Sequence, residues 1–110
     1  MQGPFLIENN YLEAATENLM FGGSDPAISG LIPSDITITG NNLTKPLTWL
    51  NMKPSWSIKV LLELKNARRV LITDNTLTGC WGQSQVGYAI DMTPRNQNGK
   101  VHEVASLRNM

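Results

Sequence analysis

The stretch Ile36-Thr-Ile-Thr-Gly-Asn-Asn-Leu43 alternates apolar and polar residues, breaks at Gly-Asn, and resumes with a leucine. Alternation of period 2 with β-branched residues marks a half-buried strand. The asparagines that follow mark a turn, because Asn tolerates the left-handed conformation and bonds its own backbone. The same pattern recurs at Phe5-Leu-Ile-Glu-Asn-Asn-Tyr-Leu12 and at Val70-Leu-Ile-Thr-Asp-Asn-Thr-Leu77. Asn10, Asn41 and Asn75 coincide, at steps of 31 and 34 residues. A further step of 34 reaches Asn109, preceded by Val104-Ala-Ser-Leu107, the start of a fourth copy.

In each copy Phe5/Ile7, Ile36/Ile38 and Val70/Ile72 face one way, with Leu12, Leu43 and Leu77 resuming that inward face. A second set of short strands lies between the copies: Asn18–Phe21, Val60–Leu64 and Tyr88–Met92. Their inward residues are Leu19/Phe21, Leu62/Leu64 and Ile90/Met92. One coil therefore reads strand, Asn turn, short strand, loop, strand, loop. Residues 44–57 and 78–87 form one class of loop; 22–35, 66–69 and 94–103 form the other, and Pro and Gly collect in both. Ser57–Arg69 and Tyr11–Met20 also admit a helical reading on propensity.

A repeat of this length cannot bury its apolar face alone, so successive copies must stack. Stacked strands pair in parallel at about 4.8 Å, and equivalent residues form ladders. Asn10, Asn41, Asn75 and Asn109 are expected to bond side chain to side chain from coil to coil. The predicted fold is all-β, a right-handed parallel β-helix, its hand following the crossover rule. The chain forms one partial domain, 1–110, with coils at about 5–35, 36–69 and 70–103 and a fourth beginning at 104. No polar cap precedes Phe5 or follows the fourth copy, so the chain is expected to be an internal piece with further coils at both ends.

Composition narrows the function classes. Nine Lys+Arg balance nine Asp+Glu, and only 16% of the 110 residues are charged. Such a chain lacks the basic stripe that nucleic acid or an anionic membrane would require. No run of 18 apolar residues is present to span a bilayer. No apolar segment of the kind a secretion signal carries follows Met1. The single cysteine, Cys80, excludes an internal disulfide framework and reads as a small core filler. The single histidine, His102, reads as a surface residue. Asn42-Leu-Thr44 matches a glycosylation sequon without structural context to support it.

The pattern is similar to right-handed parallel β-helix proteins of the pectin-lyase-like superfamily. The resemblance is carried by Gly3-Pro-Phe-Leu-Ile-Glu-Asn-Asn-Tyr-Leu-Glu-Ala14, Glu17-Asn-Leu-Met-Phe-Gly-Gly23, Glu63-Leu-Lys-Asn-Ala-Arg-Arg-Val70 and Thr93-Pro-Arg-Asn-Gln97. It implies a large bacterial protein, secreted or in the cell envelope, acting on or binding polysaccharide as a lyase or glycoside hydrolase would. The fold also hosts proteins without chemistry. The superfamily's Asn-Thr-Asp, Asp-Asp, Gly-His-Gly and Arg-Ile-Lys signatures are missing.

Candidate chemistry lies on the second set of strands, where Met20, Glu63 and Asp91 fall in one outward column and Lys65 and Thr93 in the next. Two carboxylates about 5 Å apart suit a glycosidase pair or shared calcium ligation, though no clear calcium motif is present and no cofactor is expected. Glu63 and Asp91 are thus the candidate catalytic residues. Trp49, Trp56 and Trp81 sit on equivalent loops and offer flat faces for sugar rings, with Lys65 and Arg95 as basic partners. The alternative is a structural or adhesive solenoid, with both acids solvated and the tryptophans packing their own loops.

Overall fold

A computed structural model describes residues 2–93. Arg95, His102, Asn109 and the predicted fourth copy from 104 lie outside the described residues. The fold is all-β; among the described residues there is one short 3-10 helix, over Leu47–Asn51. The described residues form nine strands, in chain order β1 Phe5–Glu8, β2 Tyr11–Glu13, β3 Leu19–Phe21, β4 Ser34–Thr39, β5 Asn42–Thr44, β6 Leu62–Leu64, β7 Arg68–Thr73, β8 Thr76–Thr78 and β9 Ile90–Met92. They form three parallel sheets, β1-β4-β7, β2-β5-β8 and β3-β6-β9. The chain thus visits the three sheets in the same order three times. The helical readings of Ser57–Arg69 and Tyr11–Met20 give way to strands, because parallel pairing outweighs weak local propensity.

The register matches the sequence repeat. Ile7, Ile38 and Ile72 are aligned, as are Leu12, Leu43 and Leu77. Ile36, Ile38, Leu43, Leu62, Leu64, Val70 and Ile72 lie in one buried cluster, and Ile38 has no accessible surface. Ile7, expected to be buried, is only half-buried, as are Phe5, Leu12, Leu19 and Phe21. Among the described residues these strands pair on one side only, so their apolar faces meet a single neighbour.

Between the first and second sheets the chain turns on a left-handed residue in every circuit: Asn9, Gly40 and Asp74, with φ of 57°, 67° and 57°. Gly40 answers two demands, since a Cβ there would also lie 2.6 Å from Asn9 Oδ1. The next residue in each turn builds the ladder. The Asn10 and Asn41 side-chain and backbone N–H groups donate to Oδ1 of the following asparagine at 2.9–3.0 Å. Asn41 Nδ2 also donates to Ile7 O at 2.9 Å, and Asn75 Nδ2 to Ile38 O at 2.8 Å. The buried Asn41 amide is tolerated because its polar groups are matched from circuit to circuit.

The third sheet is shorter than the alternation predicts. Leu61 and Leu62 both donate their N–H groups to Ala89 O, which pinches the strand and takes residues 58–61 out of the ladder. Ile58 and Val60 nonetheless stay buried, outside the main core cluster.

Candidate functional site

The predicted column on the third sheet is present in register: Met20 beside Glu63, and Glu63 beside Asp91. Met20 is exposed and Asp91 half-buried. Glu63 is only 2% accessible, so the expected open acidic floor does not exist at this position. Lys65 crosses it, with Nζ 3.4 Å from Glu63 Oε1, and Thr93 Oγ1 donates to the same oxygen at 3.2 Å. Glu63 Oε2 is buried without a hydrogen-bond partner. Lys65 and Thr93 therefore meet one oxygen of this carboxylate, while the other is enclosed without a hydrogen bond. Among the described residues no group of three or more His, Cys, Asp or Glu side chains is placed to hold a metal ion.

The tryptophans divide. Trp49 and Trp56 meet edge to face, with ring centroids 4.8 Å apart, on the loop between β5 and β6. Trp56 keeps 42% of its surface, and Leu47 and Leu50 of the same loop keep 70% and 52%. A depression of about 690 Å³ lies along Leu50–Ser55 of the same loop. Trp81 is half-buried on the loop after β8 and does not join that pair. The two loops touch: the Ser57 and Ser84 hydroxyls are 2.7 Å apart, and the Ile58 N–H donates to Gln83 Oε1 at 2.9 Å. Exposed Val86 and Tyr88 follow directly. The structure therefore brings Trp49 and Trp56 together, and separately Glu63, Lys65 and Thr93. No hydrogen bond, ion pair or ring contact joins the two groups among the described residues.

One charged residue was missed by the sequence reading. Lys45 is 1% accessible, and its ammonium is enclosed by oxygens of the turn after β2. Nζ donates to Ala14 O at 2.9 Å, Ala15 O at 3.0 Å, Thr16 O at 2.6 Å and Asn18 Oδ1 at 2.6 Å. Asn18 is held in turn by donating Nδ2 to Leu12 O and Thr44 O. Beneath lies Gly79, where a Cβ would sit 1.9 Å from Lys45 O, at a φ of +80°. Desolvation lowers the Lys45 pKa from 10.5 to about 8, while the neighbouring Glu17 carboxylate and Cys80 thiol oppose the shift. Burial in turn raises the Cys80 thiol, against the pull of Lys45. Burial alone would raise Glu17 as well, but the hydrogen bond and charge of Lys59, at 3.3 Å, hold it below its ordinary value.

The lysine shift has a pH signature. Between about pH 8 and 10.5 the unfolded chain holds this proton and the folded chain releases it. Desolvation therefore acts to raise stability with pH across that window, and the four oxygens around Nζ, which favour the ammonium, hold the rise below the roughly 3 kcal/mol that desolvation alone would give. Cys80 acts with the opposite sign, since its folded pKa is raised and stability falls as the unfolded thiol ionises. Urea midpoints in a Cys80→Ser background isolate the lysine; adding Lys45→Met should flatten the profile. A flat profile in Cys80→Ser alone would contradict the shift.

No protein-family model matches the chain, and neither a curated protein nor a solved structure matches it. The likeness to pectin-lyase-like proteins therefore rests on the quoted residues alone.

Proposed function

We propose that the chain is a segment of a right-handed parallel β-helix, secreted or in the cell envelope, whose loops bind neutral polysaccharide without cleaving it. Three strands per circuit in constant order favour the helix, and the crossover rule favours the right hand. Further circuits of like sequence would continue the stack. The observation that carries the binding reading is the edge-to-face Trp49–Trp56 pair on the loop between β5 and β6, in which Trp56 stays open to solvent and Trp49 is half-buried. Flat aromatic surface suits the apolar faces of sugar rings, and Gln83, Gln85 and Tyr88 of the adjoining loop offer hydrogen bonds to hydroxyls. A balanced charge suits a neutral glycan better than a polyuronate. Closure of Glu63 favours binding over cleavage.

The second reading is a scaffold or adhesive solenoid without a ligand, favoured by the continuous asparagine ladder. Titration with neutral and acidic oligosaccharides, following tryptophan fluorescence, separates the two. Neutral oligosaccharides are expected to shift the emission saturably, and Trp56→Ala to weaken binding at least about tenfold with little change in stability. Absence of any shift with every glycan leaves the scaffold.

A further inference from the structure

We infer that the turn Ala14–Asn18 is a preformed cage for an ammonium-type monovalent cation, and that Lys45 is its built-in occupant. The oxygens carry this inference. A lysine ammonium has three N–H groups, yet four oxygens stand within 2.6–3.0 Å of Nζ. Three are backbone carbonyls of consecutive residues, 14, 15 and 16, and the fourth is a side-chain amide oxygen. Oxygens that outnumber the hydrogens are gathered by the positive charge as a whole, as around a bare cation. The amide oxygen is aimed inward because Asn18 Nδ2 is tied to Leu12 O and Thr44 O at 2.9 and 2.8 Å. Those ties involve no Lys45 atom. Glu17 of the same turn supplies a nearby negative charge.

Position explains why the cage closes on a side chain from the next circuit. Lys45 follows Leu43 by two residues, so the strand alternation points it inward. Its register neighbours are small: Ala14 on one side and Gly79 on the other, Gly79 contacting the Lys45 backbone. The long stem runs through that space, and the charge emerges among the carbonyls of the first circuit. The cation thus clamps the β2–β3 turn to the circuit below, the work a bound metal ion does elsewhere. The inference is independent of the glycan reading.

The experiment is chemical rescue. Lys45→Ala empties the cage and the stem channel; n-propylammonium carries the missing group. Lys45→Met keeps the stem and empties only the head, where ammonium or potassium would fit. Melting is followed by circular dichroism at pH 7, at equal ionic strength, with tetramethylammonium, which has no N–H group, as reference. The expected result is a selective rise in melting temperature of several degrees, for Lys45→Ala with n-propylammonium and for Lys45→Met with ammonium or potassium. The parent chain should not distinguish these cations. Should Lys45→Ala be unfolded, recovery of the β signal on adding n-propylammonium is the same readout. Equal response of both variants to all cations and tetramethylammonium would overturn the cage, as would a Lys45→Met variant as stable as the parent at pH 7.

Discussion

Replacing Ile38 by Asp is expected to abolish the cooperative unfolding transition, while Thr37→Asp next to it leaves a folded protein. Ile38 has no accessible surface and lies in register with Ile7 and Ile72, so its side chain is enclosed by neighbouring circuits as well as by its own. Losing a buried isoleucine alone costs roughly 2–5 kcal/mol through lost burial and the cavity left behind. An aspartate adds the cost of an ionised group without a partner, again several kcal/mol. The sum is comparable to the whole stability of a typical domain, about 5–15 kcal/mol. Thr37 points to the other face and is half-exposed, so a carboxylate there stays hydrated. Urea denaturation of both variants, monitored by far-ultraviolet circular dichroism, makes the comparison. Ile38→Asp with an unchanged midpoint would show that the inward face is wrongly assigned.

Asn41→Asp is the second large effect, and it is almost isosteric. Asn41 is 2% accessible and uses its whole amide: Oδ1 accepts from the Asn10 backbone and side chain, and Nδ2 donates to Ile7 O and Asn75 Oδ1. A carboxylate keeps the accepting half and loses the donating half. It then faces two oxygens where two hydrogen bonds had been, with its charge buried and unpaired. A loss of about 3–5 kcal/mol is expected near neutral pH. Protonation restores one donor, so the penalty should shrink in acid.

Legibility in the sequence followed periodicity. Alternation through Ile36–Thr39 and its two counterparts placed the inward column, and the recurring Asn placed the ladder, because both depend on spacing alone. The extents of β6 and β9 were harder to read. The pinch at Ala89 O depends on where two circuits meet, which no local pattern records. Glu63 was placed in the correct column, but its closure was not foreseen, since Lys65 and Thr93 reach it only after folding. Trp49 and Trp56 are placed on one loop by the sequence, but their edge-to-face pairing depends on how that loop folds. Lys45 could have been found. A lysine two residues after an inward leucine, with Ala14 and Gly79 at the equivalent places, is a charge set where a core residue belongs.

The stacking of three circuits in one register is tested most directly by unfolding Asn41→Asp and Asn42→Asp side by side at pH 7. The two residues are adjacent and the substitution is the same. Only their direction differs: Asn41 lies in the ladder between circuits, while Asn42 opens β5 with its side chain exposed. Stacking in this register requires Asn41→Asp to lose about 3–5 kcal/mol and Asn42→Asp to stay within about 0.5 kcal/mol of the parent. Equal losses at the two positions, or a larger loss at Asn42, would contradict it.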